Sequence, residues 1–409
     1  MIEKTSQGIM ITVWEVCMKE FNLNRFNLAK LKLQEQPLVL KKTTYSEPIV
    51  QDGYLVNEEG ERIGTKGDFY TKRIIDTILQ KGTLDYYPRP HYVDFYSDAF
   101  YDESSGKILT KEGEKISVFP KDSVHDRAGG MELWTPAHTL SVNQGIECTY
   151  DLSKGESPMI TLRPIAVKTG VAEILWIYQK ESNDLVLFDE MLGNNTWDQD
   201  HKINNWWKDW ALRDQDGKYI LNHIGHPTIG SCYGKTVRRR HMLKKEVIES
   251  IKNNPDGRRN ISCLWQQDDF NESHGLKPCA FLTIWNVRHD WDGKDYLDMT
   301  LIQRSCDFAT AGCINQVQYV ALQKMVAQSL NLEAGTFTWK PINVQLYDRH
   351  IDQAIEMMER EPITCQAEIT CSEGIGNFDD FKIGDVRLED YPRELIKKKN
   401  PQLKFPLGI

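Results

Sequence analysis

The chain has 409 residues, 40% hydrophobic and 27% charged, the proportions of a globular protein with a large core. A formal net charge of −9 argues against a non-specific nucleic-acid or membrane-surface binder, which would carry a basic excess. No apolar run is long enough to span a bilayer: the best stretch, 165–178, is interrupted by Lys168 and Glu173, and no signal-peptide pattern opens the chain.

In chain order, residues 1–68 mix amphipathic and polar stretches and read as an N-terminal extension. Within it, FNLNRFNLAKLKL has helical spacing and VNEEGERIG the composition of a hairpin tip. FYTKRIIDTILQKGT predicts a helix over 69–83, closed by Gly82. Residues 95–133, rich in Asp, Ser, Lys and Gly, read as a surface insertion with a small hairpin in SSGKILTKEGEKISVF. From Trp134 the texture changes. HTLSVNQGIECTYDL, AFLTIWNVR and YLDMTLIQRS have strand character, whereas KTGVAEILWIYQK, HMLKKEVIESIKNN and NQVQYVALQKMVAQSL are spaced as helices. Such a mixture without regular alternation predicts an α+β domain. The polar and aromatic stretch 198–230 reads as a second inserted loop or lid.

The nine cysteines are scattered, odd in number and without a C-x-x-C pair. That pattern predicts neither a structural zinc site nor a secreted disulfide framework, but reduced thiols in a cytosolic protein. One cysteine has distinctive company. Lys277-Pro278-Cys279-Ala280 is followed by Gln303-Arg304-Ser305-Cys306-Asp307. A thiol becomes a nucleophile when its thiolate is stabilised, and a nearby guanidinium does that. Arg304 and Ser305 also make a phosphate grip of forked donor plus hydroxyl, and Arg258-Arg259 after the turn NPDG adds two more guanidiniums. Singly, each piece is weak: a Cys after Pro is commonly a packed core residue, and an Arg pair after a turn a solvated face. No glycine-rich phosphate loop is present, so side chains would have to hold a phosphate.

The order of these pieces carries more. TPAHT, TLRPIA, EILWIYQ, NNWWKDW, IGSCYG, NPDGRRNISCLW, KPCAF, LIQRSCDFATAGCINQVQYVALQKMVAQ, LYDRH and the terminal PQLKFPLGI follow one another between about Trp134 and Ile409. In that order the chain resembles the thymidylate synthase family. The resemblance implies a three-layer α+β fold with a large mixed sheet, a catalytic domain over 69–409, and a cytoplasmic homodimer with shared active sites. It implies dUMP as substrate and 5,10-methylenetetrahydrofolate as cosubstrate, with no metal, no membrane and no specific nucleic acid.

It also assigns roles. Cys279 matches the nucleophile that adds to pyrimidine C6. Arg304 and Ser305 match phosphate ligands of the same subunit, and Arg258 and Arg259 the pair lent by the partner subunit. Either Arg89, in YYPRPHY, or Arg127, in HDRAGG, matches the N-terminal phosphate arginine. Asn315 matches the amide that reads the uracil edge, Tyr347 the sugar ligand, Glu173 the carboxylate that moves protons at the base carbonyl, and Tyr233 the active-site tyrosine. Asp307 matches the carboxylate that holds the pterin, Trp207 and Trp210 the aromatic wall of the folate site, Arg163 a contact to the folate tail, and Ile409 the closing C-terminus. Gln345 stands where most of the family has His, so hydrogen bonding to the sugar survives there but proton relay by imidazole does not. The N-terminal region and the loop 201–230 have no counterpart in compact members. Two fates of the C5 methylene follow. Hydride transfer gives dTMP and dihydrofolate, the expected outcome; capture of water, as in related phage hydroxymethylases, gives 5-hydroxymethyl-dUMP and tetrahydrofolate. A non-catalytic nucleotide-binding homologue would have lost the nucleophile or the arginines, and both are present.

Overall fold

The computed structural model describes residues 50–51, 54–84, 100–102, 107–109, 139–143, 145–194, 197–214, 218–272, 276–291, 293–347 and 350–405. Strands β1 (Val50–Gln51), β2 (Tyr54–Val56) and β3 (Arg62–Gly64) form a small antiparallel sheet, and β2 and β3 flank the predicted hairpin tip. Helix α1 (Lys66–Lys81) follows, a turn earlier than its apolar spacing suggests because Thr65 and Asp68 build a capping box ahead of the first apolar residue. Gly82 ends α1 with φ −63°, not in the left-handed region. A Cβ there would run into the Ile78 carbonyl and the Leu140 side chain, so close approach to the next strand requires the glycine.

Beyond α1 come β4 (Thr83–Leu84), β5 (Phe100–Asp102), β6 (Lys107–Leu109), β7 (Thr139–Asn143) and β8 (Cys148–Asp151). The hairpin read in 104–119 pairs β5 with β6, so it starts earlier in the chain than expected, and 110–119 lie outside the described residues, as does the helical stretch 21–33. Helix α2 (Val167–Ile174) continues as a wider π-helical turn over Leu175–Gln179. Then follow β9 (Asn260–Cys263), β10 (Ala280–His289), β11 (Asp295–Asp307), helix α3 (Cys313–Ser329), β12 (Glu333–Tyr347), β13 (Glu368–Cys371) and β14 (Val386–Glu389).

The main sheet runs β4-β7-β12-β11-β10-β9, with β8 also on β12. Every neighbour pair is antiparallel except β11 and β12, which α3 connects as a parallel crossover. The sheet is therefore mixed and the domain α+β. Alternation along the strands sets its faces. Leu297, Met299, Leu301 and Gln303 of β11 are buried with Phe337 and Trp339 of β12, Trp285 of β10 and almost every side of α3. On the opposite face Ile261 and Ile342 stay 40% and 42% exposed. The stretch 198–230 is tied in rather than detached: Ile203, Trp207, Ala211 and Ile229 belong to the core.

Asp68 stitches α1 to the segment before α2. Its fully buried carboxylate accepts from Thr65 N (3.2 Å), Thr161 N (2.6 Å) and Thr161 Oγ1 (2.7 Å). Burial pushes its pKa up and these bonds pull it back. Asp68→Ala would orphan the two buried amides and should cost about 3 kcal/mol or more, read as a lower urea midpoint; Asp68→Asn, which keeps an acceptor, should cost less.

Candidate active site

Cys279 immediately precedes β10, where the pairing with β11 shifts register between Ala280 and Leu282. At such a break carbonyls lose their ladder partners. One side chain of β11 supplies replacements. Arg304 Nε donates to Pro278 O (2.8 Å), and Nη2 donates to Lys277 O (2.8 Å) and lies 3.6 Å from Cys279 Sγ. The Arg304 backbone N–H also donates to Cys279 O (2.9 Å). A guanidinium has five donors; the two on Nη1 have no partner among the described residues and are left for an anion. Cys279 N in turn donates to Tyr233 Oη (3.2 Å). Burial pushes the Cys279 thiol up, and Arg304 pulls it the other way. Burial is the larger effect.

Tyr233 is held in an uncommon backbone conformation, φ +45°, just before the helix Gly234–Arg240. Gly234 packs so tightly on Ser182 that a Cβ would collide with its carbonyl oxygen. Strain of this kind persists only where surrounding packing over-determines it.

Deeper in, a chain of amides crosses the site. Trp339 Nε1 donates to Gln303 Oε1 (2.9 Å), Gln303 Nε2 to Asn315 Oδ1 (3.0 Å), and Asn315 Nδ2 to Gln318 Oε1 (2.9 Å). This fixes which end of the Asn315 amide accepts and which donates, and each end keeps capacity for one more partner. Glu173 closes the chain. It is 8% exposed, and Trp206 Nε1 donates to its Oε2 (3.0 Å). Burial pushes its pKa up to about 7, against hydrogen bonds from Gln318 and Trp206. Trp207 Nε1 leans toward the same carboxylate without reaching hydrogen-bond geometry.

The parallel register of β11 and β12 sets Asp307 opposite Gln345, and Gln345 Nε2 donates to Ser305 Oγ (3.4 Å). Asp307 accepts from Thr310 Oγ1 (2.6 Å) and lies 3.5 Å from His350 Nδ1. Tyr347 ends β12 with its ring 5.4 Å from that of His350. Arg163 is buried. Its Nη2 donates to Ala309 O (2.9 Å), and its guanidinium lies 5.3 Å from the Phe405 ring, which also packs on His350. The chain's last described residues thus reach the site, while Ile409 lies outside the described residues, as do Arg89 and Arg127.

One expectation, for Trp207, meets a different geometry. Trp207 is 1% exposed and packs on Trp176 and Tyr233, so its ring faces the core; the outward ring of the trio is Trp206, 42% exposed, with Trp210 half-buried beside it. Arg258 and Arg259 are exposed, and neither has a partner among the described residues. They precede β9, whose Asn260 pairs with Trp285, six residues along β10 from Cys279. At about 3.3 Å per residue that is roughly 20 Å from the thiol, too far to share its site within one chain. Gln303, Gln318, Trp206 and His350 were given no role from the sequence, although each lies within one of its motifs: Gln303 beside Arg304, Gln318 three residues after Asn315, Trp206 beside Trp207, and His350 in LYDRH. Among the described residues no group of three or more His, Cys, Asp or Glu could hold a metal ion.

Known proteins match the chain in sequence and in fold. Residues 122–403 match the family model described as thymidylate synthase. The thymidylate synthase of Streptococcus pneumoniae (strain 70585) is 41% identical over 315 residues, 76% of this chain and 99% of that protein. That of Lactococcus lactis subsp. cremoris (strain SK11) is 41% identical over 262 residues, 64% of this chain and 84% of that protein. Among solved structures, thermostable thymidylate synthase A from Bacillus subtilis superposes with a TM-score of 0.59 at 27% identity, covering 83% of this chain and 99% of that one. By this match over most of its length, and with the mixed sheet of an α+β domain, the chain belongs to the thymidylate synthase family.

Proposed function

We propose that the protein methylates dUMP at C5 to give dTMP, with 5,10-methylenetetrahydrofolate as the source of both the carbon and the hydride. The observation that carries this reading is the Arg304 clamp on Cys279 beside the Asn315–Gln318–Glu173 chain. The Cys279 sulfur bonds to C6 as its proton leaves, and the C5–C6 π electrons move toward O4. Asn315 accepts from N3–H and donates to O4, and its fixed amide selects uracil over cytosine. Glu173, poised between its charged and neutral forms, holds or releases a proton near that carbonyl. Arg304 Nη1 and Ser305 bind phosphate, and charge neutralisation there aids the thiolate. Tyr347 and Gln345 face the sugar, Asp307 and Trp210 the folate, Trp207 packs behind that wall, and Arg163 acts through Phe405 on the tail that ends in Ile409. The family match includes Arg127 and leaves Arg89 outside, which supports Arg127 as the N-terminal phosphate ligand.

The remote Arg258 and Arg259 and the exposed isoleucines of the sheet support a homodimer in which each copy lends its arginines to the other's site. The relatives' names favour hydride transfer over water capture.

Incubated with dUMP and methylenetetrahydrofolate, the protein should release dihydrofolate and dTMP one for one, and Cys279→Ser should lose about three orders of magnitude or more in kcat while still binding dUMP. Tetrahydrofolate released with 5-hydroxymethyl-dUMP would refute the proposal.

Mixing an Arg258→Ala/Arg259→Ala variant with Cys279→Ala should restore about a quarter of parent activity, since half the dimers are hybrids with one complete site. No recovery, with subunit exchange verified by native mass spectrometry, would place the arginines in cis.

Burial lifts the Glu173 pKa from 4.5 to about 7, so the folded state keeps a proton that the unfolded chain releases between those values. The stability this contributes is present below pH 4.5 and lost as pH rises through 7, by at most about 3 kcal/mol. Glu173→Gln should therefore melt higher than the parent at pH 8 and level with it near pH 4.5, while turnover falls roughly a hundredfold.

A further inference from the structure

Trp206 is an anomaly of placement: a large aromatic side chain, 42% exposed, whose only polar atom is committed to a carboxylate that is 8% exposed. Its position is built. Asn205 caps the short helix Trp206–Trp210 by accepting from Trp207 N (3.1 Å), and Asn205 Nδ2 donates to Leu185 O (3.1 Å) and Asp189 Oδ1 (2.9 Å). One ring face lies against Trp207, centroids 4.2 Å apart, and Trp210 meets it edge-on at 5.2 Å. The indole N–H then reaches Glu173 Oε2 at 3.0 Å.

We infer that Trp206 is the positioning residue of the proton-transfer step, fixing which oxygen of Glu173 carries the exchangeable proton. An indole nitrogen donates and never accepts. Oε2 therefore accepts from it whether Glu173 is charged or neutral, and because the carbonyl oxygen of a carboxyl accepts better than its hydroxyl oxygen, the proton favours Oε1. The same donor favours the charged form, opposing the cost of burial. Without it, Gln318 remains as a partner of the carboxyl, but the preference between its two oxygens that the indole imposes is lost. The inference rests on the proposed role of Glu173 in proton transfer.

The test uses Trp206→Phe and the replacement of Trp206 by β-(3-benzothienyl)alanine, which keeps the bicyclic ring and its stacking but has sulfur where the indole has N–H. The carboxyl band of protonated Glu173, assigned by its loss in Glu173→Gln, is titrated by infrared spectroscopy, and kcat and KM are measured against pH. Both replacements should raise the infrared midpoint by about one pH unit and move the acid limb of kcat by the same amount. Turnover at pH 7 should fall severalfold and recover by pH 9, with KM for dUMP within about twofold of the parent. An unchanged midpoint and limb in the benzothienyl protein would overturn the inference. Parent-like turnover in Glu173→Gln would instead overturn the role of Glu173, leaving the infrared shift to decide what Trp206 does to the carboxyl.

Discussion

The Arg304 side chain is the constraint on which the site depends. Cys279 sits where the ladder between β10 and β11 breaks, and of the sheet's own bonding it keeps the one from the Arg304 backbone N–H to its carbonyl. Arg304 holds it, through the carbonyls of Lys277 and Pro278, and the same guanidinium lies against the sulfur. Position and electrostatic support therefore come from one group. A lysine could supply the charge but not the planar fork, and the loop would lose its shape with its donors. The arrangement also divides the labour of the five N–H groups, with Nε and Nη2 facing the protein and Nη1 without a partner among the described residues.

Behind that clamp the scaffold removes freedom from each reacting group in turn. α3 is buried on nearly every side, and so delivers Asn315 and Gln318 from a helix that cannot roll. Packing of Gly234 on Ser182 imposes the strained backbone of Tyr233. Thr161 gathers distant parts of the chain: beyond its bonds to Asp68, its Oγ1 accepts from Ile363 N, and its carbonyl from Asn400 Nδ2. Arg360 Nη1 donates to both Leu162 O and Pro401 O (2.7 Å each). The first helix, the segment bearing Arg163 and the approach to the C-terminus are thus one hydrogen-bonded unit, and Phe405 extends it to the site.

Much of this was legible in the sequence, for identifiable reasons. β7, β8, β10 and β11 announce themselves by alternation, and α2 and α3 by apolar spacing. β12, the longest strand, was not read, because Gly335 and Pro341 interrupt it and both depress strand propensity. Gly335 is needed there, since a Cβ would strike Asp298. Cys279, Arg304, Asn315 and Glu173 stood out through motif order; in the fold Arg304 lies against Cys279, and Asn315 reaches Glu173 through Gln318. What spacing could not show is which of three nearby tryptophans turns outward, because Trp206 and Trp207 are adjacent and only packing on Trp176 and Tyr233 decides which is swallowed. Nor could it show that Arg258 and Arg259 lie a strand's length from the thiol, which depends on the pairing of β9 with β10.

The titration of Glu173 near neutrality reaches beyond catalysis. A carboxyl with its midpoint at about 7 is divided almost evenly between two proton states in neutral solution. A ligand that prefers one state draws the population toward it, exchanging up to about half a proton per site with the medium. Heats of nucleotide binding would then depend on the ionisation enthalpy of the buffer, and affinity would slope with acidity even for a ligand whose own charge is constant. The site thus couples occupancy to the proton concentration around it before any bond is made or broken.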